Sequence, residues 1–340
     1  MAVALPSPLS AAPSWPRRSS GPPETNPGQW PPVASAHGLP ADRRRTLHAR
    51  QTDSEEQPGP QPPAAGARVS PLTLWRHALS YTLHRGSTPL LVSVPHAGTA
   101  MAPDQQPRYV ARALQIEDTD WFLDRLYAFA TGLGASLIVP LHSRYLIDLN
   151  RPRENTPMYA GQNNTELCPT RFFSGEPLYR EGLAPDEAEI GRRVATYWQP
   201  YHTALHDELQ RLHAQHGHAV LFDGHSIRSE LPWLFTGTLA HLNLGTVGGS
   251  SCAPALRDAL AGVLAAQSRY THGVDGRFKG GHITRHFGRP QAGMHAVQLE
   301  MCWRAYMDEA RPGRWHSERA AEVTPLLRRL LETMSAWRPA

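Results

Sequence analysis

Two short apolar runs in this chain each lead into a histidine beside a glycine. Leu90-Leu91-Val92-Ser93-Val94-Pro95 runs into His96-Ala97-Gly98, and Ala219-Val220-Leu221-Phe222 runs into Asp223-Gly224-His225-Ser226. Short continuous apolar runs closed by proline or glycine read as strands buried on both faces, the kind found in sheets covered by helices. Alternating with helix-length segments, they restrict the chain to an α/β layer structure with a mixed, largely parallel sheet. In open sheets of that type, ligands gather outside the carboxyl ends of the strands. Both histidines are expected there, delivered into loops.

The remaining pattern fills in this frame. Strands are expected over residues 88–94, 135–140, 145–149, 219–222 and 295–299, the last running into Glu300. Helices are expected over 118–130 with Asp118 as N-cap, over 186–216 with an interruption at Pro200, over 253–267, and over 318–337 with Ser317 as N-cap. Residues 152–183 read as a long loop, and loops of that length inside a compact domain are more often functional than accidental.

Composition separates the ends of the chain. Residues 1–70 are rich in Pro, Ser, Ala and Gly and lack apolar periodicity, so they read as a disordered tail that cannot bury enough surface to offset its ordering entropy. Its arginines and serines loosely resemble a transit peptide, but its prolines oppose an amphipathic helix, and a start codon assigned too far upstream is the preferred explanation. About 270 residues follow, enough for one α/β domain over 71–340. The formal net charge is +4, and seven arginines against five acids place +2 of it in the tail. The near-balanced remainder argues against a nucleic-acid partner. No apolar run approaches the roughly 20 residues of a membrane span. The three cysteines, Cys168, Cys252 and Cys302, have no zinc-finger or disulfide spacing, which fits a reducing, cytoplasmic setting.

The chemistry-bearing residues then fall into groups. Neutral imidazoles are good ligands for Zn²⁺, and a catalytic zinc takes three protein ligands with one position open. His96 and His225 would supply two, although with 18 histidines in the chain ordinary buried histidines are a serious competing reading. Asp118 and Asp120 are the natural suppliers of the third, or else a helix cap and a first-turn acid. Glu300 closes an apolar strand, where an unpaired carboxylate is costly; it reads equally as a proton shuttle or as an acid paired with an arginine. Arg144 and the pair Asn150-Arg151 flank an apolar stretch and suit bidentate binding of a carboxylate, with surface salt bridges as the alternative. The run Gly276-Arg277-Phe278-Lys279-Gly280-Gly281-His282-Ile283-Thr284-Arg285-His286 is dense in cations and glycines. It lacks the phosphate-loop pattern and reads as a carboxylate-binding loop or a mobile basic surface.

Taken in order, six stretches resemble the N-formylglutamate amidohydrolase family. They are Ser93-Val94-Pro95-His96-Ala97-Gly98, Asp118-Thr119-Asp120-Trp121, Ser143-Arg144-Tyr145-Leu146-Ile147-Asp148-Leu149-Asn150-Arg151-Pro152, Gly224-His225-Ser226-Ile227-Arg228-Ser229, Arg277-Phe278-Lys279-Gly280-Gly281 with Ile283-Thr284-Arg285, and Gln298-Leu299-Glu300. The resemblance covers residue 70 to the C-terminus. It implies a zinc-exopeptidase/phosphorylase-hydrolase-like fold and metal-dependent hydrolysis of N-formyl-L-glutamate, a small-molecule substrate, in histidine degradation. It implies His96, Asp120 and His225 as ligands of Zn²⁺ or another divalent metal, with Asp118 the rival acid because Thr99 stands where the related carboxypeptidase pattern has its own. It further implies Glu300 as general base, Arg144 as a second catalytic group, and Asn150, Arg151, Lys279 and Arg285 as holders of the substrate carboxylates. A metallohydrolase of another N-acyl amino acid, or a non-catalytic binding protein on the same scaffold, are the competing expectations.

Overall fold

The computed structural model describes residues 80–158 and 163–339; the expected tail over 1–70 lies outside the described residues. Seven strands form one sheet: β1 (Tyr81–His84), β2 (Leu90–Ser93), β3 (Ser136–Pro140), β4 (Ala219–Ile227), β5 (Leu242–Gly245), β6 (His272–Val274) and β7 (Met294–Cys302). Their order is β1-β3-β2-β4-β7-β5-β6. The centre, β3-β2-β4-β7, is parallel. β1 joins β3 antiparallel, and β5 joins β7 antiparallel with β6 parallel to it. The mixed, largely parallel sheet expected from the apolar runs is what forms.

Among the described residues six α-helices accompany it: α1 (Leu123–Leu126), α2 (Glu187–Arg193), α3 (Gln199–His216), α4 (Pro254–Ala265), α5 (His282–Phe287) and α6 (Ser317–Ala336). Side chains alternate across a strand, so each central strand feeds two cores. Leu90, Val92, Val220, Phe222, Val297 and Leu299 pack with Leu256 and Leu260 of α4 and Leu327 and Leu331 of α6. Leu91, Leu221 and Ala296 pack on the other side with Tyr201, Leu205, Leu209 and Leu212 of α3. The same alternation puts Ser93, Asp223, His225, Gln298 and Glu300 on the α3 side, where the apolar cover ends.

Several elements differ from the sequence expectation. β4 does not end at Phe222, nor β7 at Leu299: their ladder continues through His225 opposite Glu300 to Ile227 opposite Cys302. His225 and Glu300 therefore stand on paired strand, not in loops. The helix expected over 118–130 is a turn followed by α1 and a 3₁₀ stretch, Ala128–Leu133; Phe122 holds φ at 60° at its start, and Asp118 caps nothing. Pro200 interrupts no helix. A π-turn, Val194–Trp198, joins α2 to α3 in one continuous helical run, and Pro200 sits in the first turn of α3, directly after that π-turn. The N-cap of α6 is His316, whose Nδ1 accepts from the Arg319 N–H, and not Ser317.

The strand expected over 145–149 is absent. Its carbonyls are taken by side chains from distant elements: Tyr109 Oη donates to Tyr145 O (2.8 Å), Arg193 Nη1 to Leu146 O (2.8 Å), and His202 Nε2 to Leu149 O (2.8 Å). The chain forms turns there, and these side chains supply the donors that a neighbouring strand would have given.

Candidate active site

The centre of the site is a buried triangle. His96 follows β2, His225 lies on β4, and Asp120 is brought between them by its own N–H, which donates to His96 O at 3.1 Å. His96 Nδ1 and His225 Nδ1 are 3.1 Å apart, and Asp120 Oδ2 lies 3.6 Å from the first and 3.3 Å from the second. All three residues are buried. Donor atoms around a four-coordinate ion with bonds of about 2.0–2.2 Å lie about 3.3–3.6 Å from one another. The spacing and the donor set, two imidazoles and a carboxylate, therefore fit a divalent metal. Among the described residues this is the group with that property. Asp118, the rival acid, is not in it: its Oδ2 accepts from Tyr145 Oη (2.7 Å) and from the Phe173 N–H (2.9 Å).

Each imidazole has a carboxylate behind it. His96 Nε2 donates to Asp148 Oδ1 at 2.7 Å, which leaves Nδ1 bare toward the triangle. His225 Nε2 lies 3.1 Å from Asp223 Oδ1 and 2.9 Å from Asn150 Nδ2. The Asn150 amide is oriented by the Ile283 N–H, which donates to its Oδ1 at 2.8 Å. Asn150 thus favours a bare Nε2 and Asp223 favours Nε2–H; a cation at Nδ1 selects the second. Such carboxylate–histidine pairs orient metal ligands and raise their basicity. Burial opposes ionisation of Asp148, yet His96, Arg144 and Arg151 hold it well below the usual carboxylate range. Burial likewise opposes charge on His225, but Asp223 and Asp120 raise its pKa well above the imidazole norm.

Glu300 faces the same space. Burial pushes its carboxyl up to about 8, with His225 pulling down and Asp120 pushing up. Arg144 Nη2 donates to Asp148 Oδ2 (2.6 Å), its Nη1 lies 3.6 Å from Asp120 Oδ1, and its guanidinium covers the Phe173 ring at 4.7 Å. Arg151 donates to Thr165 O (2.9 Å), Thr165 Oγ1 (2.7 Å) and Asn150 O (3.0 Å). One cavity is lined by His96, Asp120, His225, Arg144, Asn150, Arg151 and Glu300. Lys279 and Arg285, the cations expected to hold a second carboxylate, are exposed and do not line it. Arg277, Gln298 and Phe173 do; sequence reasoning passed over them. The signal for Arg277 was its place in the basic run, but nothing in that run says which of three cations points inward. Phe173 comes from the 152–183 loop, so that loop does form part of the site. Gly281 is needed here for space: a Cβ would stand 2.2 Å from Asn150 Nδ2.

Fold and site define an α/β enzyme of the amidohydrolase class, with a buried His-Asp-His group of metal-ligand type beside a sheet-borne glutamate. The sequence matches the N-formylglutamate amidohydrolase family profile over residues 88–307. It is 48% identical over 253 residues to the N-formylglutamate deformylase of Pseudomonas aeruginosa, covering 74% of this chain and 95% of that protein. The Pseudomonas putida protein of the same name is 46% identical over 256 residues, 75% of this chain and 96% of that one. The crystal structure of N-formylglutamate amidohydrolase from Ralstonia eutropha JMP134 shares the fold with a TM-score of 0.66 at 24% identity, covering 76% of this chain and 98% of that one. The chain belongs to the N-formylglutamate amidohydrolase family.

Proposed function

We propose that the chain hydrolyses N-formyl-L-glutamate to formate and L-glutamate, with a divalent cation, zinc in the first instance, held by His96, Asp120 and His225. The observation that carries this reading is Glu300, which stands across the β4–β7 ladder from His225 inside the cavity of a chain whose relatives are named for this reaction. Bound at the triangle, a divalent cation would supply Lewis acidity toward the formyl oxygen and lower the pKa of a water molecule. Glu300 takes the proton of the attacking water and passes it to the amide nitrogen as the C–N bond breaks. A carboxyl with a raised pKa both accepts and returns a proton near neutrality.

Arg144 stays paired with Asp148 and keeps its charge beside the developing negative charge on oxygen. Arg151 orients a substrate carboxylate, and Asn150 acts indirectly because its amide is committed to Ile283 and His225. Fixing the carboxylates positions a formyl group that offers little surface of its own. In this reading the chain supplies the formate-releasing step of histidine degradation, in the cytoplasm, on a small molecule, without nucleic acid or membrane. Among the described residues no helix is long and apolar enough to cross a membrane.

The test is formate release from N-formyl-L-glutamate by purified protein, with and without a chelator. Release that stops on chelation and returns with Zn²⁺ is the expected result. No release would overturn the substrate assignment, and release indifferent to chelator would overturn the metal.

A further inference from the structure

We propose that Arg277 is the specificity-determining residue that recognises the side-chain carboxylate of the substrate, the part assigned from sequence to Lys279 or Arg285. The proposal rests on the hydrolytic reading above and deepens it. Three guanidiniums line the cavity, those of Arg144, Arg151 and Arg277. Arg144 is bound to Asp148 behind His96. Arg151 adjoins Asn150, whose amide touches His225, so the carboxylate nearest the scissile amide belongs with Arg151. Arg277 comes from the segment between β6 and α5 and is anchored elsewhere. Its Nη2 donates to Leu234 O at 2.8 Å, and its guanidinium carbon lies 6.0 Å from the Phe235 ring and 5.8 Å from the Phe278 ring.

Leu234, Phe235 and Phe278 also line the cavity, and they pack in an apolar cluster with Phe173 and Ile227. A half-buried guanidinium held by a carbonyl and two rings is preorganised, and its planar fork fits a carboxylate in two bonds. The apolar wall beside it suits the two methylenes that separate the carboxylates of glutamate. Lys279 and Arg285 are solvent-exposed, where a carboxylate contact would be screened and weak.

The experiment compares wild type, Arg277→Met and Arg277→Lys on N-formyl-L-glutamate and on N-formyl-L-glutamine, which differ only in the side-chain charge. Alongside it, calorimetry measures the binding of glutarate and of butyrate, independent of turnover. Truncating one partner of a desolvated charge pair lowers affinity by about thirtyfold or more. R277M should therefore reduce the ratio of kcat/KM for formylglutamate over formylglutamine by about that factor, chiefly through KM, and weaken glutarate relative to butyrate. R277K, which keeps the charge but not the fork, should fall between. An unchanged ratio in R277M, or equal losses on both substrates and both acids, overturns the proposal. If R277M does not fold, an R277K ratio equal to that of wild type overturns it. Wild type inactive on formylglutamate would overturn the hydrolytic reading instead, and the calorimetric comparison would still decide the role of Arg277.

Discussion

Glu300 and Asp148 stand in different environments although both are buried acids near His96 and His225. Among the described residues, the Glu300 carboxyl has no side-chain hydrogen bond, and burial raises it to about 8. Asp148 accepts from His96 Nε2, from Arg144 Nη2 and from the Asn150 N–H (2.8 Å), and is held ionised. Glu300→Gln should lower kcat by about 10²–10⁴-fold while metal analysis still finds one ion per chain; full activity would remove it as the base. Asp148→Asn should instead weaken the ion, by about 10–100-fold in affinity, read by competition with a coloured chelator. Unaltered affinity in that variant would mean His96 needs no orienting partner. Both substitutions keep side-chain shape and remove one carboxyl, so the difference between them reports where each acid stands.

At the scale of elements, the segment 145–149 carries the site although it is neither helix nor strand. It is held from α2 and α3. Arg193 is fully buried, donates to Leu146 O, Tyr179 Oη (2.9 Å) and Gln105 Oε1 (2.7 Å), and pairs with Glu189 at 2.6 Å. Without Arg193 the buried acceptors Leu146 O and Gln105 Oε1 lose their donor, at about 1–3 kcal/mol each, whereas the half-buried Glu189 keeps Arg192. Arg193→Met should therefore lower unfolding free energy by about 2–6 kcal/mol in urea melts, and at temperatures where it remains folded it should show weaker metal binding, since Leu146 is two residues from Asp148. A variant as stable as wild type would show that the segment is held by apolar packing alone. The long loop is tied down the same way, through Asp118 and the Phe173 N–H.

For the whole molecule, His295 joins three elements. It opens β7, its Nδ1 accepts from the Ala253 N–H (3.1 Å) at the start of α4, and its ring lies 4.6 Å from Trp337, just past α6. Burial pushes its pKa down to about 4, with His218 adding. The unfolded chain, with an imidazole pKa of about 6.5, binds a proton that the folded state refuses. This contribution is therefore present above about 6.5 and is lost as pH falls toward about 4. Asp118, raised by burial to about 6, acts with the opposite sign over part of that range, so the total slope does not isolate His295. The difference does: the loss of stability between pH 7 and 4.5 should be smaller in His295→Gln than in wild type. Identical slopes would mean that His295 titrates normally.

The central sheet was legible in the sequence because burial on both faces leaves uninterrupted apolar runs. His96, His225 and Glu300 were legible too, because a polar residue closing such a run stands out; Asp120 was legible only as one of two acids at a helix start. Arg144, Asn150 and Arg151 could be found as residues, but not as partners of Asp148, Ile283 and Thr165. The outer strands β1, β5 and β6, of which β1 and β6 form the edges, are short and lack the run, and nothing local marks them. Only the tertiary structure decided that 145–149 forsakes a ladder, that Asp120 and not Asp118 reaches the imidazoles, and that Arg277 faces inward where Lys279 faces out. The physical reason is common to all three. Periodicity and composition record which side of its own element a residue occupies, whereas hydrogen bonds and ion pairs to groups on other elements depend on where the rest of the chain has come to lie.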